Sequence, residues 1–269
     1  MTANASLPII EVIFDHAGFG TDGQVWGGEF LISDSTGFHR AAHLQSVPLP
    51  AGEKASLQPW HMAYSHLNNA DLNLNQLVIP LSPEEKKSFE LAFFRDPLPI
   101  LTSSMGKLFD AVSAILGLCI VSTYEGEALS ELENLANLAD DDFGSDYEFL
   151  IFEKDLGWIL DPALVLAQIQ QDLYRRVSPA SIAKRFHWAV AELVVRVCKK
   201  IRDLHELNHV LLGGALFANK LLDRETRERL AKAGFILESD RSESSEQQIS
   251  LKQLTVMTTI KSKGLETHL

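Results

Sequence analysis

The fold is decided by the stretch Asp15-His16-Ala17-Gly18-Phe19-Gly20-Thr21-Asp22-Gly23-Gln24-Val25-Trp26-Gly27-Gly28-Glu29-Phe30. The apolar run Ile9–Phe14 ends at Asp15, glycines and small polar residues follow, and apolar alternation resumes at Val25. This pattern predicts a strand, a glycine turn and a returning strand. Backbone N–H groups left free in such a turn can hold a phosphate, beside an acidic residue that holds a metal or a hydroxyl. Asp15 is therefore a candidate metal ligand, with a turn aspartate that bonds its own backbone as the alternative.

Size and composition restrict the class of protein. The 269 residues are 46% hydrophobic and 22% charged, enough for one large globular domain or two small ones. The formal net charge of -12 argues against a nucleic-acid partner. No apolar run is long enough to cross a bilayer, and the N-terminus lacks the layout of a signal peptide. Cys119 and Cys198 suit a reduced compartment. We expect a soluble cytoplasmic protein without a membrane partner.

The order of predicted elements indicates an α/β fold. Predicted strands are Ile9–Phe14, Gln24–Ser33, Phe38–Val47, Glu148–Phe152, His209–Leu212 and Phe235–Leu237. Predicted helices are Trp60–Leu67, one starting at Ser82-Pro83, Ser103–Leu116, Gly126–Leu138, Pro162–Arg176, Pro179–Leu207, Asn219–Ala233 and Ile249–Lys261. Consecutive strands followed by helices that alternate with single strands predict one ribonuclease-H-like lobe over residues 1–269. This lobe is of the actin/hexokinase (ASKHA) type, with a helical insertion at about 82–177.

Six segments resemble one known family. The opening stretch is similar to the D-G-T-G-Y-G-x-D-G-x-x-W-G-G-E-F pattern in the carbamoyltransferase module of the HypF family of hydrogenase maturation proteins. The other segments are Ala42-His43-Leu44 through Pro48-Leu49-Pro50 to Pro59-Trp60, Ser103 to Val112, Tyr124-Glu125-Gly126-Glu127-Ala128, Arg185-Phe186-His187 and Val210 to Leu222. They follow the family's order over about 9–255. The resemblance implies the second lobe of that module.

The resemblance also implies a site. In the family, Asp15 corresponds to a ligand of a divalent metal, iron or zinc, and the nucleotide substrate is carbamoyl adenylate or another ATP-derived nucleotide. The nucleotide-binding residues implied here are Gly18, Gly106, Lys107, Asp110, Gly126, Gly214 and Asn219. The start of a helix beside a lysine suits an anion. Two of these residues have structural alternatives, because Asp110 also suits the helix dipole and Asn219 also suits a helix start.

Several positions depart from the family pattern. His16 replaces a glycine, and Gly213 and Ala215 alter the glycine turn before Asn219. In the segment Ser245–Gln253, Glu246 takes the place of the second metal-binding aspartate. The family's H-H-H-A-H metal motif belongs before Asp15, where residues 1–14 contain no histidine. We therefore expect a truncated, partly degenerate lobe with Asp15 and Glu246 as its remaining metal ligands.

Three functions follow from these observations. The resemblance implies transfer of a carbamoyl group from carbamoyl adenylate to the C-terminal cysteine of a HypE-like acceptor, with a separately encoded first lobe as partner. The alternative is a non-catalytic lobe kept for protein interaction. A third possibility is a zinc metallopeptidase, because His205-Glu206-Leu207-Asn208-His209 matches H-E-x-x-H. That motif needs both histidines on one helical face, and the helix is predicted to end within it.

Overall fold

A computed structural model describes residues 8–50, 57–75, 77–140, 147–154 and 157–238. The strands are β1 (Ile9–Phe19), β2 (Val25–Ser33), β3 (Phe38–Leu44), β4 (Val47–Pro48), β5 (Leu101–Thr102), β6 (Leu150–Lys154), β7 (Gly157–Asp161), β8 (His209–Gly213) and β9 (Ile236–Leu237). The helices are α1 (Pro59–Asn69), α2 (Pro83–Arg95), α3 (Met105–Ile115), α4 (Glu127–Ala136), α5 (Ala163–Tyr174), α6 (Pro179–His205) and α7 (Lys220–Lys232). A short 3-10 turn, Ala215–Ala218, precedes α7. Glu246 and the predicted helix Ile249–Lys261 lie outside the described residues.

The strands form one mixed sheet in the order β6-β7-β3-β2-β1-β8-β9; off this path, β5 pairs with β2 and β4 pairs with β5. β1, β2 and β3 are an antiparallel meander, as the alternating apolar pattern predicts. β8 runs parallel to β1, and β7 runs parallel to β3. The predicted mixed α/β class is therefore confirmed. No helix among the described ranges is long and apolar enough to cross a membrane.

The two faces of the meander differ in how they are covered. Val12 and Phe14 of β1 are fully buried in the main core, which also includes helices α1, α3 and α6. Ile13 points to the opposite face, because side chains alternate along a strand. There it forms a small separate cluster with Trp26 and Leu31. This second face carries the candidate site.

The structure corrects two sequence predictions. Strand β1 does not end at Phe14: it runs through Asp15 to Phe19, and its pairing with β2 is irregular between Phe14 and Gly18. A bulge of this kind re-aims the side chains between the two paired positions, so Asp15 lies in a distorted strand and not in a turn. The segment 82–177 is also more than a helical insertion. It supplies β5, β6 and β7 to the sheet, and β5 and β7 each pair with a strand that is distant in the chain.

Candidate functional site

A cavity of about 680 Å³ opens on the second face of the meander, between β1, the start of α4 and the turn after β8. It brings together four of the predicted site residues. The lining residues are Ile13, Asp15, His16, Ala17, Gly18, Trp26, Gly27, Glu29, Leu31, Glu125, Gly126, Leu129, Gly214 and Ala215. Gly18 thus lies beside Asp15 together with Gly126 and Gly214, which come from two distant segments of the chain.

Glycine allows the backbone to approach this cavity at Gly214. Its φ is +95°, and an added Cβ would lie 2.1 Å from the carbonyl oxygen of Phe14. Only glycine can adopt this turn against β1 without a clash. Gly126, with φ of +87°, is the N-cap of α4, and nothing lies within 4 Å of an added Cβ there. Its glycine is required by backbone conformation alone.

Asp15 is held by hydrogen bonds from His16 and Ser104. Its Oδ1 accepts the backbone N–H of His16 at 2.7 Å, and its carbonyl oxygen accepts the Ser104 hydroxyl at 2.6 Å. Ser104 also caps α3, so this bond ties β1 to the start of that helix. Gly27 lies against the same carbonyl, since a Cβ there would be 2.5 Å from the oxygen. The Asp15 side chain therefore has a defined position in the cavity wall.

Gly106, Lys107 and Asp110 do not line this cavity. The Lys107 ammonium donates to the Asp110 carboxylate at 3.1 Å, and both side chains are almost fully buried. Burial raises the pKa of Asp110, and the charge of Lys107 opposes that effect. Gly106 makes room for His16, whose ring atoms would lie 2.9 Å from an added Cβ. In this structure the three residues form an internal ion pair and a packing contact, and their contact with nucleotide stays a prediction.

Asn219 occupies its alternative role as a helix start. Its side-chain oxygen accepts the backbone N–H of Leu222 at 2.9 Å, and its amide nitrogen lies 3.0 Å from Nε2 of His187. Asn219 is buried and does not line the cavity. Asn219 thus makes a structural contact between α6 and α7, and its contact with a base or ribose stays a prediction.

Sequence reasoning missed Glu29, a buried carboxylate in the cavity wall. Its Oε1 accepts the backbone N–H groups of Gly27 and Gly28, each at 3.2 Å, and the Ser103 hydroxyl at 2.5 Å. Its Oε2 accepts Nε of Arg40 at 2.6 Å. A charged residue within a strand of otherwise buried residues was the available signal, because buried carboxylates need partners.

The described part of the chain does not by itself supply a complete donor set for a metal ion. Among the residues that the structure describes, no group of three or more His, Cys, Asp or Glu side chains is placed to hold one. Glu246, the predicted partner of Asp15, lies outside the described ranges.

The zincin motif is broken as predicted. Helix α6 ends at His205, Glu206 is left-handed with φ of +58°, and His209 opens β8. His209 instead pairs with Glu238 through Nδ1 at 2.6 Å. The two imidazoles do not share a helical face, which the metallopeptidase alternative requires.

The cavity is acidic. Its lining contains Asp15, Glu29 and Glu125, and none of the fourteen lining residues is Lys or Arg. Arg40 neutralises Glu29 from behind the wall. Asp15 and Glu125 add negative charge to the lining, so this surface alone favours a neutral or cationic group.

Comparison with known proteins shows which family this chain resembles. Residues 11–250 match the family model described as carbamoyltransferase, Kae1-like domain, second subdomain. The chain is 35% identical over 227 residues to carbamoyltransferase HypF of Rhodobacter capsulatus, covering 84% of this chain and 29% of that protein. A HypF homolog of Cupriavidus necator is 31% identical over 240 residues, covering 84% of this chain and 59% of that protein.

A solved structure agrees with this match. The crystal structure of full-length HypF in its phosphate- and nucleotide-bound form superimposes with a TM-score of 0.82 at 32% identity, over 94% of this chain and 33% of that one. The chain thus spans less than two thirds of the length of each of these relatives. It belongs to the HypF carbamoyltransferase family and corresponds to the second subdomain of the Kae1-like domain.

Proposed function

We propose that this chain forms one lobe, of the ASKHA type, of a HypF-type carbamoyltransferase site, and that the cavity at Asp15 receives the nucleotide of carbamoyl adenylate. The observation that carries the proposal is the convergence of Asp15, Gly126 and Gly214 on one cavity. These residues come from three of the segments that resemble the family.

The cavity's chemistry supports a nucleotide. Ile13, Trp26, Leu31 and Leu129 give it an apolar wall that suits a base, and the backbone at Gly126 and Gly214 gives it a polar rim. Its volume of about 680 Å³ is in the range of small-molecule sites. The similar HypF structure was solved in a phosphate- and nucleotide-bound form, which makes a nucleotide the natural first probe.

The proposed reaction is acyl transfer to sulfur. The thiolate of a HypE-like acceptor attacks the carbamoyl carbon, a C–S bond forms, and the bond from that carbon to the AMP phosphate oxygen breaks. AMP leaves with the bonding electron pair, and the thiol proton passes to solvent. The part of this chain is to bind and orient the nucleotide. No step is assigned to a metal, because the described donors do not fit one.

A first lobe has to complete the site. The acidic lining offers no cation to the phosphate, so that charge has to be balanced by groups outside this chain's cavity. Phe19 follows the lining residue Gly18 in β1 and is 69% exposed, so it is available to contact a partner lobe. The proposed partner is the first subdomain, on the same polypeptide or on another.

A second candidate function is a non-catalytic interaction lobe. One observation favours it: Lys107, Asp110 and Asn219, all predicted to bind nucleotide, make their contacts inside the protein. In this alternative the same face binds the partner lobe, but the cavity does not bind nucleotide.

A variant that fills the cavity and a matched control outside it distinguish nucleotide binding from a non-catalytic interaction role. Ala215 is exposed and lines the cavity, whereas Ala218 lies in the same 3-10 turn, is also exposed and does not line it. We expect calorimetry to show weak AMP binding by the wild type and tighter binding once a HypF first lobe is added. Ala215→Trp should abolish AMP binding, whereas Ala218→Trp should leave it unchanged. Equal AMP affinity in Ala215→Trp and Ala218→Trp would contradict the proposed site. Lobe association without AMP binding would favour the interaction module.

A further inference from the structure

Arg40 lies behind the cavity wall and contacts the residues that shape it. We propose that Arg40 is a positioning residue of this site, which holds Trp26 and Glu29 in the wall while lining no part of the cavity itself. The identity of the bound ligand rests on the proposed function. The role of Arg40 in positioning Trp26 and Glu29 is independent of that ligand.

The guanidinium of Arg40 is fully engaged. Nε donates to Glu29 at 2.6 Å, one terminal nitrogen to Asp22 at 3.3 Å, and the other to the Ser103 hydroxyl at 3.1 Å. The Arg40 side chain is 17% exposed and that of Glu29 only 2%. Charge-assisted bonds to a buried carboxylate are among the stronger hydrogen bonds in proteins. Arg40 thereby links the turn after β1, strand β2 and the segment before α3.

Arg40 also covers the indole of Trp26. Its guanidinium carbon lies 4.0 Å from the ring centroid, within the range of a cation–π contact. The indole N–H donates to Asp22 at 2.9 Å, and Phe38 meets the ring edge-on at a centroid distance of 6.3 Å. Arg40 also donates to Asp22. It therefore holds the indole both by direct stacking and through the Asp22 carboxylate.

The contact with Glu29 reaches the backbone beside Asp15. Glu29 holds the N–H groups of Gly27 and Gly28, and Gly27 lies against the Asp15 carbonyl oxygen. Loss of the Arg40 guanidinium leaves the Glu29 carboxylate without its cation and loosens the backbone at Gly27 and Gly28. Lysine keeps the charge but has neither the planar fork nor the stacking surface, so Arg40→Lys is a disruptive change here.

The test uses the full chain labelled with 5-fluorotryptophan, in which each of the four tryptophans gives a ¹⁹F resonance. Trp26→Phe assigns the resonance of Trp26. The control is Arg202→Lys, since Arg202 also covers an aromatic ring, Phe235, at 4.3 Å and donates to the Ala233 carbonyl, away from the cavity. We expect Arg40→Lys and the control Arg202→Lys both to lower the Tm. Only Arg40→Lys should move the Trp26 resonance and weaken AMP binding, by about tenfold to a hundredfold.

The outcomes distinguish this proposal from the proposed function. If the wild type binds no AMP, the nucleotide assignment fails, and the Trp26 resonance alone decides the role of Arg40. An unmoved Trp26 resonance in Arg40→Lys overturns the positioning role. So does an AMP affinity within twofold of the wild type, because a cavity that keeps its affinity does not depend on Arg40. Loss of AMP binding in Arg202→Lys as well would reduce the role of Arg40 to general stability and also overturn the proposal.

Discussion

The side-chain amide of Asn219 donates to Nε2 of His187 across 3.0 Å, and this bond joins the start of α7 to the interior of α6. The direction of the bond follows from the other ring nitrogen. Nδ1 of His187 lies 2.8 Å from the carbonyl oxygen of Ala183, which can only accept, so Nδ1 carries the proton and Nε2 is the acceptor. His187 is therefore neutral, and burial lowers its pKa to about 4. Two residues in the family-like segments thus have a structural explanation.

Asn219→Ala should destabilise the protein without affecting the cavity. The variant loses the cap of α7, worth about 1 kcal/mol, and leaves Nε2 of His187 unsatisfied, which costs a further 1–3 kcal/mol or so. Asn219→Ser keeps a capping oxygen and should recover only the first part. Urea unfolding measures both losses. If Asn219→Ala keeps its stability but loses AMP binding, Asn219 is a ligand after all and this explanation is wrong.

Acid should destabilise the fold through its buried histidines. Burial lowers the pKa of His61, His66 and His187 to about 4 each. The unfolded chain therefore binds more protons than the folded one between pH 6.5 and 4, and stability falls as pH decreases through that window. The two fully buried histidines, His66 and His187, can each contribute up to about 3 kcal/mol. Urea midpoints measured from pH 7.5 to 4.5 give the slope.

His66→Leu is the matched control for this pH dependence. Both ring nitrogens of His66 are buried and have no hydrogen-bond partner among the residues that the structure describes, so leucine removes one titrating group without breaking a described bond. The variant should be at least as stable as the wild type at pH 5 and should show a shallower slope. An unchanged slope would mean that His66 does not titrate in this range.

Much of the fold could be predicted from local pattern. Alternating apolar residues predicted β1 and β2, and Ser82-Pro83 predicted the start of α2, where the structure has a full capping box. The bulge in β1 escaped prediction because it depends on how the strand pairs with β2. Strand β7 escaped because it is ordered by pairing with β3, in register at Ala42 and Trp158.

The site was predicted in part, for a similar reason. Glycines that need positive φ, such as Gly126 and Gly214, can be recognised within a turn, and both line the cavity. The bond from Ser103 to Glu29 joins positions 74 residues apart, and no local pattern predicts it. Lys107 and Asp110 are three residues apart on α3, a spacing that favours an ion pair and could have been weighed against the nucleotide role.

Asp110→Ala should act on stability and not on ligand affinity. It leaves the buried Lys107 ammonium without its partner, and an uncompensated buried charge costs about 3–5 kcal/mol. Replacing both residues, as in Lys107→Met with Asp110→Leu, should restore most of the loss, since no charge is then left buried. Thermal unfolding of the two single variants and the double variant tests this. A double variant no more stable than Asp110→Ala would contradict the ion-pair explanation.

Gly20 should tolerate no side chain, because the turn packs directly on an indole. A Cβ at Gly20 would lie 2.1 Å from Nε1 of Trp26, whereas the nearest atom to a Cβ at Gly18 is 3.7 Å away. Neither glycine has a positive φ, so the two variants differ only in available space. We expect Gly20→Ala to cost about 1–3 kcal/mol through overpacking and Gly18→Ala to cost little. Equal Tm values for the two variants would contradict this packing.

Asp15→Asn should strengthen the binding of free AMP to this lobe in buffer that contains a chelator. The lining of the cavity has carboxylates and no Lys or Arg, so removing one negative charge reduces repulsion of the phosphate. At an effective dielectric constant of about 40 and a separation of about 8 Å, that repulsion is worth about 1 kcal/mol, or roughly a fivefold gain in affinity. Asparagine also keeps the oxygen that accepts the His16 N–H. Glu192→Gln, on α6 and outside the cavity lining, makes the same change in net charge and should leave the affinity unchanged. A fall in AMP affinity in Asp15→Asn would show instead that Asp15 accepts a hydrogen bond from the ligand.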